Sequence, residues 1–273
     1  MQQNDFIEAS PLGDKSAYVT AYTPSLLFPI PRNTPWQPEF TTRPFYGIDV
    51  WNAFEVSWLN AKGLPKMALA EFRIPADSPN IIESKSFKLY LNSFNQTKME
   101  NISQVQSAME DDLSEAAGAE VKVALYSLRD MAMPVLPTPG ANIDQQDIEI
   151  TTYTPNASLL SSDVSTYRTE ILHSNLLKSN CPVTGQPDWA TLIVEYEGPT
   201  INRAGLLAYI VSYREHGDFH EQCVEQIFLD IKAQCKPGQL TVYARYVRRG
   251  GLDINPYRST RPLAPSNHRT QRQ

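Results

Sequence analysis

The chain has 273 residues, of which 41% are hydrophobic and 20% are charged, as in ordinary soluble globular proteins. This length allows one large domain or two ordinary ones. The net charge of −6 excludes an extensive nucleic-acid surface, because phosphate binding requires clustered positive charge, and no apolar run approaches the ~18 residues that span a membrane.

The N-terminal residues and the cysteines indicate a reducing compartment. Residues 1–10 are polar and lack the basic start and apolar core of a secretory signal. The chain has three cysteines, Cys181, Cys223 and Cys235, and an odd number argues against a disulfide framework. We therefore expect a cytoplasmic protein in which a thiol can stay free for chemistry.

The first half of the chain predicts two strands, two helices and a third strand, in that order. Residues 1–45 are rich in proline and polar residues and are expected to form an arm or loop. From Asp49 onward a regular pattern predicts strands, with apolar alternation at 54–58 and a second run at 67–74. Two helical faces follow, one formed by Phe87, Tyr90, Leu91 and Phe94 and the other by Val105, Met109 and Leu113. A third strand is predicted from the alternation of Val121, Val123 and Leu125.

The second half predicts a similar order after a linker. The stretch from Met131 to Ile143 is rich in proline, which is typical of a linker. A strand is predicted at 190–196 and a closing strand at 240–247. Two helical stripes lie between them, at Leu206, Tyr209, Ile210 and Tyr213 and at Val224, Ile227, Phe228 and Ile231. We therefore place two modules, at residues 1–145 and 146–273.

The two halves are related by an offset of 119 residues. The matched pairs are Tyr90 with Tyr209, Ser93 with Ser212, Val105 with Val224, and Asp111 with Asp230. The register is expected to hold without a gap from about Phe87 to Leu128, which suggests two copies of one strand–strand–helix–helix–strand unit. Each copy keeps polar groups that the other lacks, which favours a site shared between copies or between subunits.

A cysteine lies in a segment whose composition is typical of a loop, Ser179–Trp189. Pro182, Gly185 and Pro187 favour a loop, and loops are where catalytic groups concentrate. Asp188 follows Cys181 by seven residues and could act as an acid or a base. The alternative is that Cys181 is a small buried hydrophobe, which is the more common state of a lone cysteine.

The segment Asp218–Cys223 is predicted to open a helix, with Asp218 as N-cap and Glu221 closing a capping box. His220 lies on the apolar face of this helix, and spacing alone favours a satisfied core histidine. Together with Cys181 and Cys223, His220 could also supply three zinc ligands, although this spacing is not one of the compact zinc motifs.

Three basic segments have simple structural explanations as well as functional ones. Residues 83–90 could be a charged helix start. The turn at 248–251 could bring backbone N–H groups and a guanidinium to a phosphate. Neither a G-x-G-x-x-G nor a P-loop motif is present, so any dinucleotide is bound without those scaffolds. The tail, with Arg258, Arg261, Arg269 and Arg272, is expected to be a solvated, frayed end.

Four separated motifs in order carry a family resemblance, at 83–90, 179–189, 219–223 and 248–256, and residues 55–65 also match. With them the chain resembles the NADPH-dependent 7-cyano-7-deazaguanine reductases of queuosine biosynthesis (QueF) in their two-module form, over about residues 45–260. The resemblance implies an α+β chain of tandem tunnelling-fold modules. In that fold antiparallel sheets carry a helix pair on one face, and modules assemble into a barrel.

The resemblance also implies an activity and a set of site residues. The activity is the four-electron reduction of a nitrile to a primary amine by NADPH, with no metal. The implied catalytic residues are Cys181 as nucleophile, Asp188 as acid, and His220. The implied substrate contacts are Ile82, Glu83, Ser84, His220 and Glu221. The implied NADPH contacts are Ser84, Lys85, Arg249 and Gly250.

The residue types suit this chemistry. A nitrile carbon is a poor hydride acceptor, and addition of the Cys181 thiolate turns it into a thioimide, a better one. Asp188 can deliver the thiol proton to the nitrile nitrogen, and His220 can cover and protonate the imine. The carboxylates of Glu83 and Glu221 suit the N–H donors of a guanine-like edge. Lys85 and Arg249 suit the cofactor phosphates, and an arginine could select NADPH over NADH at its 2′-phosphate.

Three alternatives stay open from the sequence. One is a zinc-dependent cyclohydrolase-like enzyme of the same fold, and another is a purine- or pterin-binding module without chemistry. The third is nitrile hydrolysis through the same thioimide, which would consume no NADPH. The expected partner is a small deazapurine rather than a nucleic acid or a membrane, and sheet edges that need cover favour a homodimer.

Overall fold

The computed structural model describes residues 19–32, 43–129 and 134–273, and the chain divides into two compact units. The first unit consists of residues 1–34, 49–133 and 248–253, and the second of residues 35–48, 134–247 and 254–273. Helices and antiparallel strand pairs occur in both units, which confirms the α+β class. The module boundary at residue 145 stays a prediction.

The first unit contains a sheet with the strand order β5-β3-β2 and two helices. Its elements are β1 (Pro29–Pro31), β2 (Tyr46–Leu59), β3 (Pro65–Pro75), β4 (Asn80–Ile82), α1 (Ser84–Ser93), α2 (Ile102–Ala117) and β5 (Lys122–Ser127). The first three residues of β2 belong to the second unit. The three strands and two helices predicted for this half are confirmed. β3 and β5 pair antiparallel, and α2 packs against β5.

Aromatic side chains from two strands and a helix form the core of the first unit. The ring of Phe87 on α1 lies 4.9 Å from that of Trp51 on β2 and 5.0 Å from that of Phe72 on β3. All three are almost fully buried. Burial of this aromatic surface is the main force that holds α1 on the sheet.

The N-terminal arm differs from expectation where it is described. Residues 1–18 and 33–42 lie outside the described residues, but Pro29–Pro31 forms β1 and pairs antiparallel with β4. Proline is tolerated there because β1 and β4 form a two-stranded sheet in which each strand has a free edge. The pairing places the arm beside the strand that leads into α1.

The second unit contains a sheet with the strand order β10-β9-β8-β7-β6 and two helices. Its elements are β6 (Ala141–Asn142), β7 (Ser162–Asn180), β8 (Pro187–Ile201), α3 (Arg203–Ser212), α4 (His220–Cys235), β9 (Gln239–Tyr246) and β10 (Leu252–Ser259), the first two residues of which belong to the first unit. Neighbours from β7 to β10 pair antiparallel, and β6 pairs parallel with β7. The predicted linker is partly structured: residues 131–133 lie outside the described residues, whereas 141–142 form β6.

The sequence pattern does not predict β7 or β10. The first half of β7 is exposed and polar, so it shows no apolar alternation. β10 is buried along its whole length although it contains polar residues, because these residues find partners inside the protein. Arg258, expected in a solvated tail, is fully buried with its Nη2 2.7 Å from Oε1 of Glu225.

The predicted frayed end is wrong for the C-terminal segment as well. Thr270 and Gln273 are both buried. The side chain of Gln273 accepts a hydrogen bond from Arg245 and donates hydrogen bonds to Asn255 and to the backbone of Tyr246. Polar groups of this segment are therefore satisfied by the sheet rather than by solvent.

The repeat is present in the structure, but not in one unbroken register. Helices α1 and α3 have the same length and are related by 119 residues, whereas α2 and α4 are related by 118. In both units a tyrosine hydroxyl donates to an aspartate Oδ2 at 2.6 Å, from Tyr90 to Asp112 and from Tyr209 to Asp230. Asp230 therefore corresponds to Asp112 and not to Asp111, because the connection between the helices is one residue shorter in the second unit.

Candidate active site

The loop between β7 and β8 presents Cys181. The loop closes on itself, since Cys181 N donates to Gln186 O at 2.8 Å and Gly185 N donates to Cys181 O at 3.0 Å. Gly185 has a φ of +65°, a conformation that glycine adopts without strain. Cys181 is half-buried, so its thiol is neither sealed in the core nor fully solvated.

The other two thiols are poorly suited to nucleophilic chemistry. Cys223 and Cys235 are fully buried, and burial raises the pKa of Cys223 well above its usual value and that of Cys235 to about 11. A raised thiol pKa leaves little thiolate at neutral pH. Of the three cysteines, Cys181 is thus the one with access to a ligand.

The β7–β8 register places Asp188 at the same end of the hairpin as Cys181. Asp188 is directly opposite Ser179, which lies two residues before Cys181. Both Asp188 and Ser179 are buried. The predicted acid and the predicted nucleophile therefore flank one short loop.

Pairing at the end of β7 also brings His220 to this place. Asn180 N donates to His216 O at 2.7 Å, and Asp218 N donates to Asn180 O at 3.2 Å, so the segment before α4 is tied to β7. His220 is the first residue of α4, and its Nε2 lies 3.2 Å from Oδ2 of Asp188. Two residues 32 positions apart in sequence are thus joined in one site.

His220 is neither a satisfied core histidine nor part of a capping box, the two structural expectations for its segment. Its Nδ1 is buried without a hydrogen-bond partner, so the side chain is not a satisfied core histidine. The predicted capping box is wrong too, because the N-cap of α4 is Phe219 and no side chain caps the helix. Asp218 Oδ1 instead accepts a hydrogen bond from Phe219 N at 2.8 Å.

Two further residues of this site are not found by sequence reasoning. The ring of Tyr246, at the end of β9, stacks on that of His220 with centroids 3.7 Å apart and an angle of 8° between the planes. The hydroxyl of Tyr246 is buried, which raises its pKa well above the usual value, and an interaction with Ser179 opposes this rise. The only available signal was the position of Tyr246 at a strand end, which by itself does not distinguish a site residue from the core.

The described part of the chain offers no zinc site of the predicted kind. It contains no group of three or more His, Cys, Asp and Glu side chains placed to hold a metal ion. Cys181, His220 and Cys223 therefore do not come together as a ligand set there.

The predicted base-binding residues of the first unit lie where β4 passes into α1. Ile82 and Glu83 are almost fully buried, and Ser84 begins the helix. Glu83 is the N-cap of α1, and its two carboxylate oxygens accept hydrogen bonds from the backbone N–H groups of Lys85 and Ser86 at 2.7 Å each. Burial raises the pKa of Glu83 and outweighs these hydrogen bonds, which lower it.

Replacing Glu83 with glutamine is expected to change how stability depends on pH. The folded-state pKa of Glu83 is raised from 4.5, so the stability it contributes is present at low pH and is lost as the pH rises through the folded pKa. The E83Q variant lacks this loss, and its urea midpoint should therefore rise relative to wild type from pH 4.5 towards neutral pH. Urea denaturation of both proteins across this range measures the difference, and a difference that stays constant with pH would contradict the prediction.

A tight turn at residues 248–253, which belongs to the first unit, forms one wall of a small pocket. Gly250 and Gly251 have φ values of +59° and +79°, and a Cβ on Gly251 would lie 2.5 Å from Cδ of Glu55. Lys88 contributes an ammonium group that pairs with Glu55 at 2.6 Å. The backbone of two glycines, of which Gly250 is exposed, lies beside a lysine, an arrangement that suits a phosphate able to compete with Glu55 for the ammonium group.

The predicted cofactor residues lie on two elements of this unit. Ser84 and Lys85 open α1, and Arg249 and Gly250 lie in the turn, where Arg249 N donates to Leu252 O at 2.8 Å. Lys88, one helical turn after Lys85, was not among the predicted cofactor residues. Its spacing from Lys85 in the motif at 83–90 was the signal that could have found it.

Comparison with protein-family models gives two matches along the chain. A model described as nitrile reductase, 7-cyano-7-deazaguanine-reductase N-term, matches residues 18–125, and a model described as QueF-like protein matches residues 187–264. The first range contains Ile82–Lys85, the second contains Asp188, His220 and Arg249, and Cys181 lies between them. No helix of the described residues is long and apolar enough to cross a membrane.

Proposed function

Since the chain belongs to the QueF family of 7-cyano-7-deazaguanine reductases, which act in queuosine biosynthesis, we propose that it reduces the nitrile through a thioimide on Cys181, with NADPH as the reductant. The observation that supports this route best is the pairing of His220 with Asp188 at 3.2 Å, beside the loop that holds the half-buried thiol. An acid, a proton carrier and a nucleophile are the groups that nitrile reduction needs.

In the first step the sulfur of Cys181 adds to the nitrile carbon. A C–S bond forms, one π bond of the C≡N group breaks, and the nitrogen takes up a proton. Asp188 accepts the thiol proton and passes it to that nitrogen. Because Asp188 is buried at the base of the loop, this transfer takes place away from bulk water.

In the later steps the protein handles the sulfur and the protons. NADPH, when bound, supplies the hydride of each of the two reductions. Between them the C–S bond breaks and Cys181 leaves as a thiolate, so the substrate passes through an imine. His220 is held between Asp188 and Tyr246, and it covers the imine and donates a proton to its nitrogen.

The residues of the first unit fit the phosphates of NADPH. Ser84 and Lys85 lie at the N-terminus of α1, and their hydroxyl and ammonium groups are of the kinds that donate hydrogen bonds to phosphate oxygens. Arg249 and Gly250 lie in the turn whose glycines let a ligand approach the backbone closely. Lys88 adds a second ammonium group in the pocket that Gly250 lines.

Recognition of the base uses buried carboxylates. Ile82, Glu83 and Ser84 contact one part of the purine-like ring, and His220 and Glu221 contact another. Glu83 and Glu221 are almost fully buried, and a carboxylate oxygen has more than one lone pair with which to accept hydrogen bonds from the N–H donors of the base. An analogue without those donors forms fewer hydrogen bonds to the site and should bind more weakly.

The proposed assembly is a dimer. Each module is a tunnelling-fold module, and a cytoplasmic homodimer joins modules into a barrel. Supporting this are the repeated helix pair, the antiparallel strand pairs and the edge position of β5, whose unpaired side needs cover. A symmetric dimer supplies such cover with the same surface from both copies.

A stoichiometric assay tests the route. The protein is mixed with 7-cyano-7-deazaguanine and NADPH, and the loss of NADPH absorbance is compared with the amine formed. We expect two NADPH consumed for each amine, because the conversion is a four-electron reduction. If amine forms with another reductant but not with NADPH, the assignment of NADPH as the reductant is wrong. If ammonia is released without loss of NADPH, the enzyme hydrolyses the nitrile instead of reducing it.

A further inference from the structure

The β8–β9 register brings Tyr246 to the face of the sheet that carries Asp188. Tyr246 lies directly opposite Ala190, two residues after Asp188 on β8, so the side chains of all three point to the same face. Helix α4 packs against β9, and it begins at His220. The ring of Tyr246 is almost fully buried and lies parallel to that of His220.

His220 depends on these two neighbours for its orientation. The N-cap residue of α4, Phe219, provides no side-chain hydrogen bond to the first turn of the helix. The Nε2 atom meets Asp188, the ring face meets Tyr246, and Nδ1 has no partner. One hydrogen bond leaves an imidazole free to rotate about that bond, and the stacked ring removes this freedom.

Tyr246 is held in turn by a hydrogen bond to its backbone. Its carbonyl oxygen accepts this bond from Nε2 of Gln273 at 3.1 Å, while its buried hydroxyl interacts with Ser179. The Gln273 amide is itself fixed, since it donates to Asn255 at 2.8 Å and accepts from Nε of Arg245 at 3.0 Å. Gln273 is only 6% exposed, so solvent does not compete for these bonds.

We infer that Tyr246 is a positioning residue for His220 and that the side chain of Gln273 keeps Tyr246 in place. This role rests on the proposed function of His220 in the reduction. Stacking holds the imidazole in the plane in which its Nε2 faces Asp188, so that proton transfer to the imine needs no reorientation. The aromatic ring is required for this, and the hydroxyl is not.

The first test compares Tyr246→Leu, Tyr246→Phe and Gln273→Ala in steady-state NADPH oxidation. We expect Tyr246→Leu to lower kcat by about tenfold to a hundredfold and to change KM by less than about threefold. The loss in kcat is part of what a general acid or base usually contributes, because His220 is still present but less well oriented. Tyr246→Phe should stay within about threefold of wild type, and Gln273→Ala should fall between the two. The matched control is Tyr196→Leu, a buried tyrosine elsewhere on β8, which should lower the melting temperature but leave kcat unchanged.

A second measurement does not depend on activity. The chain has four histidines, so the ¹⁵N spectrum of histidine-labelled protein is simple, and His220→Gln identifies the signals of His220. We expect the ring shifts of His220 to change in Tyr246→Leu and Gln273→Ala but not in Tyr196→Leu. Unchanged shifts, or a Tyr246→Leu enzyme with wild-type kcat, would overturn the positioning role. If the wild type is inactive but the variants show the expected shift changes, the proposed function is wrong while the positioning of His220 by Tyr246 still holds.

Discussion

The Cys181→Ala variant is expected to lose nitrile reduction almost completely, with kcat at least about four orders of magnitude below wild type. Without the sulfur no thioimide forms, and the nitrile carbon must accept hydride directly. The substrate should still bind, because the predicted contacts to the base come from other residues. Intact-protein mass spectrometry after incubation with the nitrile, without NADPH, should show an adduct on wild type and none on the variant.

Cys235→Ala is the matched control for this experiment. Cys235 ends α4 and is fully buried, and its thiol makes a weak hydrogen bond to Ser161 O at 3.7 Å. Its removal should reduce stability slightly and leave both adduct formation and turnover intact. A Cys181→Ala enzyme that still reduces the nitrile at a substantial rate would disprove the covalent route.

The second large effect is expected for Asp188→Asn. An amide cannot accept the thiol proton, so adduct formation should slow by about 10² to 10⁴-fold, the usual contribution of a general acid or base. The asparagine can keep a hydrogen bond to His220, so the fold of the site should survive. This step can be measured alone by rapidly mixing the enzyme with the nitrile in the absence of NADPH and recording the change in absorbance as the adduct forms.

Asp230→Asn is the control for Asp188→Asn. It shows whether slower adduct formation is specific to Asp188 or follows from the loss of any buried carboxylate in the second unit. Asp230 is also buried, accepts a hydrogen bond from Tyr209 at 2.6 Å, and has no place in the proposed chemistry. This variant should change stability but not the rate of adduct formation. If Asp188→Asn forms the adduct as fast as wild type, Asp188 is not the acid.

The strands and helices with clear apolar periodicity could be predicted from sequence, but the elements without it could not. α1 and α2 bury one face each, and β3 alternates regularly, so local patterns are sufficient for them. β7 and β10 lack such patterns, because the first is partly exposed and the second buries polar residues. Arg258 on β10 is acceptable in the interior only because Glu225 of α4, far away in sequence, neutralises it.

The site was predicted in part. Motif residues named Cys181, Asp188 and His220, and Cys181 does lie in a loop, as its surrounding prolines and glycine predicted. The pairing of His220 with Asp188 was not predicted and was found only in the structure. The roles assigned to these residues stay predictions. Tyr246 and Gln273 were missed because their importance comes from contacts with His220 and with the sheet, which no local pattern records.

By itself the sequence determined the family, the type of reaction and the repeated order of elements, because motifs and periodicity are properties of short segments. Only the tertiary structure decided which side chains meet. It shifted the repeat by one residue, buried the C-terminal segment, and joined His220 to Asp188 and Tyr246. These outcomes depend on strand register and on packing between distant segments, where one buried partner decides whether a polar side chain is satisfied.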